Sequence, residues 1–419
     1  VTHSASHRTI DAVWRIESPK LIAGLTRMVR DVGLAEDLAQ DALVIALERW
    51  PDSGIPDNPG GWLMAASKRR AIDFLRRSKL RDRKYEEVGR SADLYTEDDL
   101  EAAKDGEIGD DLLRLIFMTC HPVLSREARI ALTLRLLGGL TTDEIARAFF
   151  AAEPTIAQRI VRAKRTLREA GAVFEVPSGS ELKERLATVL EVIYLLFNEG
   201  YAATSGSSWI RPLLCQEALR LGRVLAEFAP AEPEVHGLVA LMEIQSSRFK
   251  TRVSPTGEPV LLMDQNRAQW DQLLIRRGLA ALKRAQMLDR PLGPYALQAA
   301  ISACHARARN AGETDWARIA ALYEALSRVM PSPVVELNRA VAIAMAFGPA
   351  FGLQLVDELT SEPALKEYHL LPSVRGDLLV KLGRREEARE EFERAASLTR
   401  NERERELLLR RAAECESGG

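Results

Sequence analysis

Residues 139–169 read GLTTDEIARAFFAAEPTIAQRIVRAKRTLRE, two short helical patterns separated by Ala151-Ala152-Glu153-Pro154. Thr141 and Glu144 have the T-x-x-E spacing of a capping box, in which the Thr hydroxyl accepts a backbone N–H and the Glu carboxylate reaches back to the Thr backbone. Ile145, Ala146 and Phe149 then form one apolar face. Pro154 suits the start of a second helix, where its missing N–H would have no partner anyway. Beyond it Ile156, Ile160, Ala163 and Leu167 recur at i, i+4, i+7 and i+11, a stripe that faces a core. Gln158, Arg159, Arg162 and Arg165 lie opposite, with Thr155 at the helix start. Two readings fit these residues. One is a helix-turn-helix, with Thr155 and Gln158 at base edges and the three arginines at phosphates. The other is a pair of packed helices with a solvated basic face.

Working outward, the composition is that of a helical globular protein. The chain has 419 residues, 46% hydrophobic and 28% charged. Ala, Leu, Arg and Glu, all helix formers, dominate it. Glu258–Met263 is the best strand candidate, so an almost all-α fold is expected, spread over two to four domains. The net charge of −2 argues neither for nor against nucleic acid, but its distribution is informative. Met64–Lys84 holds nine Lys and Arg against Asp73 and Asp82, and Asp93–Asp111 holds nine acids against Lys104. Such blocks create local fields of opposite sign.

Four cysteines without a CxxC suit a reducing compartment. No apolar run approaches a membrane span, and no signal-peptide core opens the chain, so a cytoplasmic protein without membrane attachment is expected. Cys120-His121 and Cys304-His305 match no zinc spacing, and adjacent residues on a helix diverge by about 100°; buried reduced thiols are expected, and no metal. Neither a phosphate-binding loop nor a hydrolase or metalloprotease motif is present, so the expectation is no enzyme and no cofactor.

The domain boundaries follow from composition. Residues 1–85 read as helices interrupted at Pro51–Gly61, whose three prolines and three glycines break the pattern. Residues 86–111 are an acidic linker with little to bury. Residues 112–175 hold the opening helix pair, and 176–419 is a longer helical array. Breaks at 203–212, 229–233, 252–259, 290–294, 309–314, 331–333 and 361–363 divide it into helices. At 368–400, Gly376, Gly383, Ala388, Phe392 and Ala395 fall at the spacings of a tetratricopeptide unit, although Arg400 stands where that pattern closes with Pro. Val334–Thr360 matches more loosely, and a generic array of helical hairpins fits as well. Leu407–Arg411 reads as part of a terminal capping helix.

The ambiguity of the opening stretch is decided upstream. Residues 35–50, AEDLAQDALVIALERW, precede the Pro-rich break; Asn58-Pro59-Gly-Gly-Trp62-Leu63 and residues 71–77, AIDFLRR, follow it. In this order the segments resemble region 2 of bacterial extracytoplasmic-function (ECF) sigma factors of the sigma-70 family, and residues 139–169 resemble their region 4. The resemblance covers residues 10–172. It implies a factor that binds core RNA polymerase at the clamp coiled coil and the flap, recognises the −10 and −35 promoter elements and promotes transcription initiation. Glu36, Asp37, Gln40 and Asp41 match the polymerase-docking positions. Trp62, Lys68, Arg69, Arg70, Asp73, Arg76 and Arg77 match those that open and read the −10 element, with the 52–61 loop as the pocket for a flipped base. Thr155, Gln158, Arg159, Arg162 and Arg165 match the −35 reader. A melted strand needs such a basic groove with aromatic and loop surfaces.

Some positions depart from the family pattern. Arg69 stands where Asn is frequent, Ala151-Ala152 replaces the usual turn Gly, and Ala157 replaces a frequent Lys. Asp73 also reads as a salt-bridge partner of Arg69, Arg76 or Arg77, and Trp62 as a core residue.

The tail resembles the tetratricopeptide-like domain fused to a subset of these factors, on Phe197-Asn198-Glu199-Gly200-Tyr201 and on residues 262–271, LMDQNRAQWD. It implies a regulatory domain with a protein or peptide partner. Glu199, Tyr201, Asp264, Arg267 and Trp270 are expected to form a polar cluster, either a binding site or a structural network. Two alternatives remain for the chain: a one-component helix-turn-helix regulator with a helical sensor tail, and a peptide-binding scaffold.

Overall fold

The computed structural model describes residues 2–86, 108–149, 151–201, 212–254, 260–399 and 401–417. Among them the chain is all-α, as expected: the regular elements are eighteen α-helices and four single 3-10 turns. Among the described residues, 260–263 of the strand expected at Glu258–Met263 form no strand. Its first two residues lie outside the described residues, and Leu261 opens a turn closed by the Asp264 N–H donating to its carbonyl at 2.9 Å. The helices form two compact units, Val1–Val192 and Ile193–Gly419.

In the first unit α1 (Thr2–Val29), α2 (Val32–Ser53) and α3 (Pro59–Glu86) pack pairwise. Leu21, Ile22, Leu25 and Val29 of α1 are buried, as are Ala35, Leu38, Ala39, Ala42 and Ala46 of α2. The run of alanines gives α2 a smooth face that lets its neighbours approach closely. Asp31 starts α2 by accepting from the Gly33 and Leu34 N–H groups at 2.8 and 3.0 Å. The break expected at 51–61 narrows to 54–58, because Pro51 sits in the last turn of α2 and costs it a single hydrogen bond. Gly54, at φ +83°, ends the helix by donating to the Trp50 carbonyl.

Helices α4 (Ile108–Thr119), α5 (Arg126–Leu136), α6 (Thr142–Ala148) and α7 (Glu153–Glu169) complete this unit, with α1 packing on α4. Residues 87–107 of the expected acidic linker lie outside the described residues, but its end is helical. Asp111 is 3% exposed there, paired with Arg27 at 3.0 Å and Arg114 at 2.9 Å. The capping box forms in both directions: Thr141 Oγ1 accepts from the Glu144 N–H at 3.1 Å, and Glu144 Oε2 from the Thr141 N–H at 2.9 Å. Ile156, Ile160, Ala163 and Leu167 are all buried. Gly139, at φ +63°, sits so close to α1 that a Cβ would lie 3.3 Å from the Arg15 Cα.

The boundary between units falls at Val192–Ile193, inside α8 (Gly179–Tyr201), not in the 176–180 segment where composition shifts. The N-terminal part of α8 belongs to the first unit. Arg185 donates to the Phe117 carbonyl at 3.0 Å and lies over the Phe117 ring, and Glu191 meets Arg126 at 3.5 Å.

The second unit continues with α9 (Pro212–Phe228), α10 (Pro233–Ser246), α11 (Gln272–Met287) and α12 (Pro294–Arg307). Helix α10 packs against the other three and is buried nearly all round, which explains its lack of a polar face. Then come α13 (Trp316–Val329), α14 (Pro333–Phe347), α15 (Pro349–Leu359), α16 (Leu370–Lys381), α17 (Arg385–Leu398) and α18 (Glu402–Ser417). From α12 onward each helix packs on the next. The α16–α17 hairpin uses its small residues as the sequence suggests. A Cβ on Gly376 would lie 2.8 Å from the Phe392 ring, and Ala388, Phe392 and Ala395 are buried. Leu408 of α18 closes the end of the core, and Arg411 lies 4.3 Å over the Phe392 ring.

Candidate nucleic-acid interface

Helix α3 carries the first basic face. Asn58 caps it, accepting from the Gly61 N–H at 2.9 Å, and Pro59 sets its first turn. Leu63, Ser67, Ala71 and Leu75 recur every four residues and are buried. That leaves Arg69, Arg70, Asp73, Arg76 and Arg77 exposed along the opposite side, with Lys68 half-buried at the margin. Arg70 is tied to Asp41 at 2.5 Å. Asp73 makes no ion pair with a described residue, so it is open to solvent rather than spent on a neighbouring arginine. Trp62 is half-buried, its ring edge-on to the buried Trp50 at 5.3 Å. The 54–58 loop beside it is shorter than the expected 52–61 pocket.

Helix α7 carries the second face. Thr155, Gln158, Arg159 and Arg162 line a shallow groove of about 380 Å³ against Ser125 and Ala128 at the start of α5. Arg165 is not part of it: the side chain is paired with Glu169 at 2.7 Å, one turn along the same helix. Four of the five expected −35 residues are therefore brought together. Their arrangement presents two short polar groups and two guanidinium groups on one helical face, the chemistry of a helix laid on a duplex.

The four expected polymerase-docking residues divide. Asp37 and Asp41 are exposed and Gln40 is half-buried, but Glu36 is not on a surface. It is 3% exposed, bonded to Arg135 at 2.7 Å and to Lys164, and it accepts from Gln40 Nε2 at 2.7 Å. The physical reason is tertiary: α7 packs on α2 and carries Lys164 to the Glu36 carboxylate, and Arg135 reaches the same group from α5. Burial alone would raise its pKa; the attraction of Lys164 and Arg135 outweighs burial and holds the carboxyl below its ordinary 4.5. Asp31 behaves alike. Burial raises it, and the Arg168 bond at 2.5 Å, together with the Leu34 and Gly33 N–H groups, brings it below the usual value. A third pair, Arg15–Glu144, joins α1 to α6. Arg135, Lys164 and Arg168 had no signal in the sequence, because their acidic partners lie 99 to 137 positions away. A cavity of about 530 Å³, lined by Trp14, Gln40, Arg135 and Glu144 among others, remains in this seam.

In the second unit, Tyr201, Arg267 and Trp270 of the expected cluster do come together, joined by Arg248 and Arg252, which the sequence did not single out. Asp264 is exposed and acts electrostatically on Arg411; Glu199 is half-buried.

Among the comparisons with known proteins, two family models fall within the first unit and a third crosses its boundary. Sigma-70 region 2 matches residues 14–81, spanning α1 to α3. Sigma-70 region 4 matches 114–167, spanning α4 to α7. A family of unknown function, DUF6596, matches 185–286. The "Uncharacterized protein R00370" of Rhizobium meliloti is 43% identical over 385 residues, 91% of this chain and 90% of that protein. The "Probable ECF RNA polymerase sigma factor SigI" of two Mycobacterium tuberculosis strains is 27% identical over 165 residues, 39% of this chain and 56% of its own length. With both regions falling on the two helix sets that carry the basic faces, the chain belongs to one family with the R00370 protein and is a sigma-70 family factor.

Proposed function

We propose that the chain is an ECF-type RNA polymerase sigma factor, in which α3 and the adjoining 54–58 loop engage the melted −10 strand and α7 reads the −35 duplex. The observation that carries this reading is the pair of exposed basic faces, one on each sigma region of a single chain, with Asp73 and Trp62 beside the first. Asp37 and Asp41 are the exposed part of the polymerase-docking face, Asp41 in an ion pair with Arg70. Glu36 joins it only when α2 parts from α5 and α7, so docking on core polymerase exchanges the Arg135 and Lys164 contacts for polymerase contacts. The second unit is a regulatory, tetratricopeptide-like array that binds a protein or peptide, and the α16–α17 hairpin is its best-formed unit. This chain works in the cytoplasm and does no chemistry of its own; the polymerase does.

The test is transcription with purified core polymerase on a promoter library randomised at both elements, using the full chain and residues 1–192. Enrichment of one −35/−10 pair, together with co-elution with core polymerase, is the expected result. Tight duplex binding by the protein alone, with neither core association nor transcript, would replace this reading with that of a one-component regulator.

A further inference from the structure

The second unit gathers three arginines beside one another, two buried and Arg248 half-buried, a costly arrangement. Arg252 and Arg267 are 7% and 5% exposed, and the Nε of Arg248 is fully buried. Their guanidinium groups gather on two aromatic rings. Arg252 lies 3.6 Å over Tyr201, Arg267 5.3 Å over Trp270, and Arg248 between them at 5.6 and 5.7 Å from the two rings. Arg248 also donates to the Tyr201 hydroxyl, and Arg267 to the His305 carbonyl at 3.0 Å and to Thr314 Oγ1 at 2.9 Å.

Among the described residues, Arg248 and Arg267 have no ion pair with an acceptor of opposite charge. The charged neighbours of Arg248 are Arg252 and Arg267. Glu313 acts on Arg267 electrostatically, without an ion pair between them. Four buried nitrogens of this cluster have no hydrogen-bond partner: Nε of Arg248, Nε of Arg267, Nε1 of Trp270 and Nδ1 of His305. Three of them are obligate donors. A buried charge ordinarily finds a counter-charge, and a buried donor an acceptor. The electrostatics agree: burial and the two neighbouring arginines push Arg248 down to about 9, and burial with Arg248 and Arg267 pushes His305 down to about 3, leaving the imidazole neutral.

We propose that Arg248, Arg267 and Trp270 form a binding site for a small-molecule oxyanion, phosphate or carboxylate, in the second unit. Guanidinium forks suit either group, since each offers paired oxygens, and the aromatic rings hold the forks in place while keeping water out. The site stands apart from the sigma reading: it is tested by binding, not by transcription.

The experiment is thermal melting of the full chain in sodium chloride, inorganic phosphate and sodium succinate at matched ionic strength and pH, for wild type, Arg248→Met and Trp270→Phe. Phosphate stabilises most proteins by exclusion from their surface, so the readout is the difference between variants. The wild type is expected to gain about 3 °C beyond the Arg248→Met increment once the anion is in roughly tenfold excess over its Kd. The phosphate and succinate arms tell which group is bound. In chloride Arg248→Met melts at or above wild type, since it removes a charge repelled by two others. Trp270→Phe keeps the ring and loses the donor, so its anion increment shrinks while its melting in chloride changes little. Equal increments in all three proteins, or an Arg248→Met variant that melts well below wild type in chloride, would show a structural network and overturn the site.

Discussion

Glu36 illustrates what a single residue can be asked to do. Its neighbours in sequence make it a surface acid on an amphipathic helix, yet its carboxylate is bonded inside the first unit to Arg135, Lys164 and Gln40. Replacing it by Gln keeps the shape and removes the charge that offsets Arg135 and Lys164, and is expected to cost about 3 kcal/mol. Because its folded-state pKa lies below the ordinary 4.5, the contribution is complete above that value and is lost as pH falls through the lower, folded-state one. Urea midpoints of wild type and Glu36→Gln should therefore differ fully at neutral pH and converge below pH 4.5. The arginines of α7 make a second residue-scale contrast. Arg162→Ala should weaken duplex binding across sequences and reduce the salt dependence by about one counterion. Arg165→Ala, already neutralised by Glu169, should change both less. Fluorescence titration at several salt concentrations separates them.

At the scale of elements, periodicity and capping were legible because both are local. The Thr141–Glu144 box, the Ile156–Leu167 stripe and the small-residue spacing of α16–α17 depend on neighbours within a few turns. Pro51 misleads for a related reason: where a proline sits within a helix decides its effect, and in the last turn it removes little. Close helix contacts give a prediction here. A Cβ on Gly237 would lie 2.6 Å from the backbone nitrogen of Ala296, whereas one on Gly376 would meet the Phe392 ring at 2.8 Å. A ring can tilt and a buried backbone cannot. Gly237→Ala is expected to destabilise by about 3 kcal/mol and Gly376→Ala by about 1 kcal/mol, compared by chemical denaturation.

For the whole molecule, the position of α8 changes where the chain should be cut. Composition places a boundary near residue 176, but Arg185 and Glu191 of α8 contact Phe117 and Arg126. A fragment of residues 1–175 leaves the Phe117 carbonyl and ring without that partner, while 1–192 retains both. The shorter fragment should melt several degrees lower, about 3 °C or more, by circular dichroism. Equal melting would mean that α8 adds nothing to the first unit.

The sequence by itself determined the helices, their caps, the two basic faces and the sigma resemblance, because each is written in short-range patterns of hydrophobicity and charge. Only the tertiary structure decided which charges remain available. Glu36 is spent inside the first unit and Arg70 on Asp41, whereas Asp73 stays open and Arg248 is half-buried without a carboxylate among the described residues. A charge pairs with whatever the fold brings within a few ångströms, and for Glu36 and Asp31 that partner comes from about a hundred or more positions away.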